Sequence, residues 1–226
     1  LFYSNSSPLT VSGRHGTLTT ESGRDKGCFM TTVSFNGSPL PPNKIICIGK
    51  NYSANIEEMN SVPSEEMTVF MKPATSISKD LIATRDEPIH FEGEICLLID
   101  QGRVAGVGFG LDLTKRQLQG KLKDAGLPWE RAKAFDGAAM FSEFVDAPDD
   151  LANLTLELFI DGELRQRGGP RQMLYPPDVI LQALKHFDTL EDDDIIMTGT
   201  PSGVGPVIAG SRFHARILDT ETEITS

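Results

Sequence analysis

Cysteine and tryptophan are scarce in this sequence: its 226 residues contain three cysteines and one tryptophan. Cys28, Cys47 and Cys96 are odd in number and widely spaced, and no Cys-x-x-Cys pair occurs. A disulfide framework and a zinc–thiolate site are therefore disfavoured, and a reducing compartment fits this use of cysteine. No apolar run approaches the roughly 18 residues of a membrane-spanning helix, so the sequence predicts no transmembrane segment.

Basic residues are the minority among the charged residues. The chain has 21 Lys and Arg against 32 Asp and Glu, a formal net charge of -11. Such a surface repels phosphate backbones and anionic membranes, which argues against nucleic-acid and membrane partners. Hydrophobic residues make up 39% of the chain and glycine adds 21 residues, the usual share for a globular core.

The first part of the chain differs in composition from the rest. Residues 1–29 are rich in Ser, Thr and Gly, and their apolar residues show no period. We predict an irregular N-terminal tail over 1–41 and a folded domain over 42–226. Residues 1–29 are interpreted either as an upstream stretch before a native start at Met30 or as a transit segment. The second interpretation would favour a mitochondrial over a cytoplasmic location.

Strand patterns outnumber helical patterns in the predicted domain. Short apolar runs end in Gly or Pro, and several are separated by the few residues of a hairpin, as at Asp161-Gly162. Leucines four residues apart predict a helix over 114–126, and Pro near a first turn predicts another over 176–190. Such a pattern is typical of an α+β fold rich in antiparallel sheet.

An acidic cluster is the sharpest chemical signal. One strand is predicted for IHFEGEICLLID, and alternation along it would point His90, Glu92 and Glu94 to one face. Two carboxylates roughly 7 Å apart along a strand repel each other unless a cation lies between them. The alternative is an exposed face where both acids meet water, and the Glu-x-Glu pattern alone favours that interpretation.

A third acid favours a metal site. Asp112 lies in the apolar segment GFGLDLT, where a buried charge needs a partner. If a hairpin sets Asp112 beside Glu92 and Glu94, three carboxylates converge, which suits Mg²⁺ or Mn²⁺. Zinc would more often recruit His or Cys. His90 could donate to a ligand rather than bind the metal itself.

Several cationic and polar side chains have two interpretations. Lys133 and Lys72 could offset the negative charge of the acids, or they could be ordinary surface lysines. We predict that Lys72 contacts the substrate. Arg116 and Gln119 follow Asp112 by four and seven positions, about one and two helical turns. They could face an anionic substrate or lie on a solvated helix face.

The segment NYSANIEEMNS contains a possible acid–base group. In a helix, Asn55 and Glu58 are three residues apart and share one face. Glu58 could act as a base or orient one, although spacing alone favours a surface charge beside Glu57. The later Gly/Pro loop TPSGVGPV has no phosphate-binding motif but could shape a substrate pocket.

The chain resembles the fumarylacetoacetate hydrolase family, particularly its small single-domain acylpyruvate hydrolases and oxaloacetate decarboxylases. The resemblance spans roughly residues 44–210 and rests on the order of the blocks IICIGKNYSANIEEM, VFMKPATS, HFEGE, GFGLDLTKRQLQGKLKDAGLPWERAKAFD, GELRQ and DIIMTGTPSGVGPV. It implies a β-rich mixed-sheet roll with short helices, a homodimer and a keto- or diketo-acid substrate.

The resemblance also implies roles for individual residues. Mg²⁺ or Mn²⁺ is expected at Glu92, Glu94 and Asp112. Lys133 matches the active-site lysine of the family. Positions that contact the substrate carboxylate or line the pocket are matched by Arg116, Gln119 and Thr200.

One position departs from the family pattern. In their lid segment, related hydrolases carry His where this chain has Asn55, whereas the partner Glu58 is kept. Asn cannot take up a proton at neutral pH, so general-base catalysis, often worth about 10²–10⁴-fold, is weakened or reassigned.

Three hypotheses for function follow. The first is metal-dependent C–C hydrolysis of acylpyruvate or fumarylpyruvate-like acids. The second is decarboxylation or tautomerisation of oxaloacetate at the same metal, which needs no attacking water. The third is a catalytically weak member that binds only a metal or a partner.

Overall fold

A computed structural model describes residues 9–10, 31–59, 66–219 and 223–225. The helices are α1 Ser53–Glu58, α2 Arg116–Asp124, α3 Glu130–Lys133 and α4 Pro177–Leu184. The strands are β1 Leu9–Thr10, β2 Val33–Phe35, β3 Ser38–Leu40, β4 Lys44–Gly49, β5 Thr68–Pro73, β6 Thr84–Arg85, β7 Glu87–Phe91, β8 Gly93–Asp100, β9 Arg103–Asp112, β10 Thr114–Lys115, β11 Ala139–Phe141, β12 Val145–Asp146, β13 Thr155–Ile160, β14 Glu163–Gly168, β15 Ile195–Met197, β16 Gly205–Pro206, β17 Arg212–Leu218 and β18 Glu223–Thr225.

The largest sheet has seven strands in the order β11-β9-β8-β15-β4-β5, with β12 also paired to β9. β8 and β9 form a long hairpin, and its turn at Gln101-Gly102 has left-handed backbone at both residues. Among the strands that the structure describes, β4 and β15 are the one parallel pair. This mixed, mostly antiparallel sheet confirms the predicted β-rich α+β class.

β8 is apolar along most of its length because both of its faces are buried. Ile95 and Leu97 on one face share a core with Phe213 of a five-stranded sheet, β14-β13-β17-β1 with β18 on β17. Cys96 on the other face packs in a second core with Phe144. The large sheet is thus held between two apolar layers.

The chain changes sheets at Glu92. β7 belongs to a four-stranded sheet with β6, β10 and β16, whereas β8 belongs to the seven-stranded sheet. The single strand predicted for IHFEGEICLLID is therefore wrong, since β7 ends at Phe91 and β8 begins at Gly93. At this junction, Phe91 packs edge-on against Phe213 with ring centroids 5.3 Å apart.

Part of the predicted irregular tail is regular. Residues 33–40 form the β2–β3 hairpin, because Asn36 and Gly37 in left-handed backbone supply its turn. β1 pairs with β17. The domain division after residue 41 stays a prediction, and Met30 lies outside the described residues, as do the rest of 1–29 apart from Leu9–Thr10.

Both predicted helices are present in shorter form. α2 lies within the predicted 114–126, and the chain leaves the helical path at Gly126, which has a φ of +63°. α4 covers the first half of the predicted 176–190. Among the described residues, no helix is long and apolar enough to cross a membrane.

Candidate active site

Three carboxylates converge where the β8–β9 hairpin meets the change of sheets. Glu92 sits between β7 and β8, Glu94 lies on β8, and Asp112 ends β9. The Asp112 amide donates to the Glu92 carbonyl at 2.8 Å, which fixes the two chain segments side by side. One carboxylate oxygen from each residue lies within 4.8 Å of the others. The predicted convergence is therefore present in the structure.

Glu94 bears the strongest repulsion in this cluster. Its side chain is buried, and burial together with the charges of Asp112 and Glu92 raises the pKa of its carboxyl well above the ordinary value. The backbone amide of Gly199 donates to Glu94 Oε2 at 2.7 Å. Three crowded, buried oxygen donors form a set that a hard divalent cation would stabilise, so the residues present fit a metal ion.

Lys133 lies at the centre of the acids rather than on the surface. Its Nζ donates to Glu92 Oε2 and Asp112 Oδ2 at 2.8 Å each and to Thr114 Oγ1 at 2.7 Å. Burial by itself lowers the pKa of this ammonium, but Asp112 and Glu92 outweigh it and the net pKa is raised. Lys133 is therefore held as a cation at the site.

Arg116 adds a second cation on the other side of Glu92. It donates to Glu92 Oε1, and its other terminal nitrogen donates to Gln119 Oε1 at 2.7 Å. Burial alone would raise the pKa of Glu92, but Lys133 and then Arg116 hold that pKa well below its usual range. Arg116 and Gln119 both line the cavity above the acids, which we call the inner cavity. Their contact with a substrate stays a prediction.

Lys72 does not lie where a substrate contact was predicted. Its Nζ is 2.8 Å from Asp112 Oδ1 and donates to the carbonyls of Ala138, at 2.9 Å, and Lys133. The side chain is fully buried behind Asp112 and does not line the inner cavity. We therefore propose that Lys72 holds Asp112 in place instead of binding substrate.

Thr200 closes the cavity from the Gly/Pro loop. Its hydroxyl donates to the Gly93 carbonyl at 2.9 Å and lines the cavity. Gly199 beside it has a φ of +100°, and a Cβ there would lie 2.7 Å from Asn51 Cβ. Only glycine fits this position, and its amide is thereby aimed at Glu94.

Asn55 and Glu58, both on α1, lie in different environments. Asn55 is buried and lines the cavity, and its Nδ2 has no hydrogen-bond partner among the described residues. Glu58 is exposed and does not line the cavity. Its carboxylate oxygens accept the Gly203 amide at 2.9 and 3.1 Å. His90 does not line the cavity either.

Gln166 is a buried contact that residue chemistry alone did not single out. Its Oε1 accepts the Gly93 amide at 2.9 Å, and its Nε2 donates to Thr200 Oγ1 at 2.8 Å and to the Pro201 carbonyl at 2.9 Å. It thus ties the strand that carries Glu94 to the Gly/Pro loop. The available signal was alternation, which places Gln166 on the buried face of β14 with Gly168.

Gln166→Leu is expected to lower the free energy of unfolding by about 1–3 kcal/mol, because it leaves the buried Gly93 amide without an acceptor. Urea denaturation measures the change. The matched control is Glu163→Ala on the exposed part of the same strand, expected to stay within about 0.5 kcal/mol. Equal stability of Gln166→Leu and the wild type would contradict the bridging role.

Residues 44–225 match a family model described as fumarylacetoacetate (FAA) hydrolase C-terminal. The chain belongs to the fumarylacetoacetate hydrolase family. The predicted resemblance is confirmed, and the match covers all residues placed at the site above.

Relatives of this family member are named for keto-acid chemistry. Oxaloacetate tautomerase YcgM of Escherichia coli strain K12 is 39% identical over 192 residues, covering 76% of this chain and 87% of that protein. The mitochondrial oxaloacetate tautomerase FAHD1 of Bos taurus is 35% identical over 190 residues, covering 76% and 86%. A fumarylpyruvate hydrolase from Pseudomonas aeruginosa, solved with Mn²⁺ and pyruvate, is 29% identical, with a TM-score of 0.75 over 86% of this chain and 93% of that chain.

The prediction of an enzyme of this family is confirmed. Both reaction types expected from the sequence, hydrolysis of a diketo acid and conversion of oxaloacetate, occur among the names of its relatives. The predicted fold is confirmed by the same structural match.

Proposed function

We propose that this family member catalyses keto–enol tautomerisation of oxaloacetate or a closely related β-keto diacid. Glu92, Glu94 and Asp112 would hold Mg²⁺ or Mn²⁺. When bound, the ion supplies Lewis-acid polarisation of the keto-carboxylate end of the substrate. The burial and crowding of these three acids support this assignment.

The chain's own residues bind the substrate and handle its charge. Arg116 and Gln119 line the cavity and present donors to a substrate carboxylate. Lys133 places a fixed positive charge and a proton donor where the substrate oxygen gains negative charge. Lys72 holds Asp112 in position, and Thr114 holds Lys133 in position.

The observation that favours tautomerisation is the absence of a placed base for water. Among the described residues, the inner cavity has no histidine and no acid besides the three carboxylates. Asn55 lines the cavity from α1, and Glu58 accepts the Gly203 amide outside the cavity. Tautomerisation moves a proton between carbon and oxygen of the substrate and consumes no water, so it needs a proton carrier at the substrate but no base that activates water. The Asn55 amide, which has no hydrogen-bond partner among the described residues, suits hydrogen bonding to a substrate oxygen.

C–C hydrolysis of an acylpyruvate or fumarylpyruvate-like acid is the second candidate. It is supported by the likeness to the Pseudomonas aeruginosa hydrolase, which was solved with Mn²⁺ and pyruvate. In that reaction Glu58 would have to leave Gly203 and activate water at the cavity. Decarboxylation of oxaloacetate proceeds through the same kind of enolate as tautomerisation. The two reactions are distinguished by the release of CO₂.

Three assays of the Mg²⁺-supplemented protein distinguish the candidates. Faster loss of the ultraviolet absorbance of enol-oxaloacetate, without CO₂ release, supports tautomerisation. CO₂ release above the rate with free metal would favour decarboxylation, and loss of acetylpyruvate would favour hydrolysis. Metal binding without any turnover would overturn the enzymatic proposal and favour the binding-only hypothesis.

Asn55→His is expected to raise acylpyruvate hydrolysis by about 10- to 100-fold, because it restores a lid base whose full value is about 10²–10⁴-fold. The gain falls short of that value because Glu58 stays at Gly203. Steady-state assays with acetylpyruvate measure it, with Asn55→Gln as the control that adds no base. An unchanged rate in Asn55→His would show that the lid base is not the limitation.

Two further properties are proposed, the first from the family resemblance and the second from the sparse cysteines. We propose a homodimer, which light scattering on the purified protein tests. We propose a cytoplasmic location, with a mitochondrial one as the alternative if residues 1–29 act as a transit segment. The mitochondrial relative named above supports the alternative, and fluorescent fusions with and without residues 1–29 distinguish the two.

A further inference from the structure

A second cavity continues outward from the inner one. The inner cavity, above the three acids, has a volume of about 40 Å³, whereas the outer one has about 680 Å³. Both are lined by Lys50, Arg116, Lys123 and Trp129, so they form one continuous path. The inner volume is roughly three times the minimum space for one water molecule. The inner cavity is therefore the narrow end of this path, next to the three acids, and the outer cavity is its wide end.

The border between the two cavities is cationic. Lys123 is half-buried, with its Nζ 4.8 Å from the centre of the Trp129 ring. No ion pair joins it to a carboxylate within the part of the chain that the structure describes. Burial and then the like charges of Arg116 and Lys50 lower its pKa. Asp124 also lines the outer cavity, so one acid faces this cluster.

Lys50 occupies an unusual backbone conformation for its residue type. Its φ is +57°, in the left-handed region that favours glycine. Residues with strained backbone of this kind cluster at functional sites, where function requires the side chain in one fixed position. Here that place is the lining of both cavities.

We propose that Lys123, with Lys50, forms a subsite for the second carboxylate of the substrate and makes the enzyme select dianionic over monoanionic keto acids. The inference rests on the proposed function, since it assumes that the first carboxylate and keto group lie at the inner cavity. Within a chain of net charge -11, these lysines supply the positive charge that a distal carboxylate needs on the way in.

Binding of L-malate and L-lactate tests this subsite. Both are 2-hydroxy acids that cannot enolise, and only malate carries a distal carboxylate. With the Mg²⁺-loaded protein, calorimetry is expected to show malate bound at least tenfold more tightly than lactate, as for a charge-assisted contact. Lys123→Met, which keeps the aliphatic length over Trp129, is expected to reduce this preference to about twofold. Lys123→Arg is expected to retain it.

The matched control is Lys121→Met, an exposed lysine of α2 that lines neither cavity. It is expected to leave the malate preference unchanged. Lys50→Gly serves as a second variant, because glycine suits the left-handed backbone and should fold at least as well. This variant too is expected to weaken the binding of malate several-fold more than the binding of lactate.

The outcomes separate this inference from the proposed function. An unchanged malate preference in both Lys123→Met and Lys50→Gly would overturn the subsite, whatever the oxaloacetate assays show. A wild type that binds malate and lactate equally would overturn it as well. A lysine-dependent malate preference in a protein that turns over no keto acid would support the subsite and overturn the tautomerase proposal.

Discussion

Replacing Glu94 by glutamine is expected to weaken Mg²⁺ and Mn²⁺ binding by more than about 100-fold while leaving the fold intact. Glutamine keeps the shape of a side chain that is only 2% exposed, and its oxygen can still accept the Gly199 amide. What is lost is one of the three negative charges that a hard cation requires. Isothermal titration calorimetry measures the affinity.

Thermal unfolding gives an independent check on Glu94→Gln. The metal-free variant is expected to melt at or above the wild-type temperature, because the substitution removes a buried charge repelled by Asp112 and Glu92. Added metal is expected to stabilise the wild type but not the variant. Asp100→Asn, at the far end of the same strand, is the control that should bind metal normally. Undiminished affinity of Glu94→Gln would count against the assigned ligands.

Lys133→Met is expected to lower kcat by about 10³-fold, because it removes the cation that stabilises charge on the reacting oxygen. Metal affinity is expected to stay the same or rise, since Nζ no longer shares the oxygens of Glu92 and Asp112. This opposite response of turnover and metal binding distinguishes a catalytic role from a merely structural one.

The two readouts for Lys133→Met are steady-state oxaloacetate tautomerisation and calorimetric metal binding. Arg131→Met provides the control, because Arg131 is exposed on the same short helix. Its activity should match the wild type. Near-normal kcat in Lys133→Met would remove this lysine from the proposed chemistry.

The acidic cluster could be predicted because its signals are local. Alternation near Glu94 and the placement of Asp112 in an apolar segment both follow from residue order, and the short β8–β9 connection brings the two strands together. The family resemblance then supplied the role of Lys133, whose own spacing fitted a surface helix equally well.

Other features depend on contacts that residue order does not reveal. The period-2 pattern continues through Glu92, so it cannot show that the chain changes sheets there. Lysine is usually a surface residue, and the burial of Lys72 depends on Asp112 and on carbonyls more than 60 positions away. The position of Glu58 depends on the Gly203 amide, 145 positions along the chain.

The junction at Glu92 makes the site sensitive to how the layers sit on one another. Glu94 and Asp112 both lie on the β8–β9 hairpin. Glu92 lies between β7 and β8, so the position of its carboxylate depends on both sheets. A slight rocking of the smaller sheet would shift one oxygen against the other two. Substitutions that change side-chain volume at packing contacts such as Phe91–Phe213 would then alter the spacing of the three carboxylates without replacing any of them.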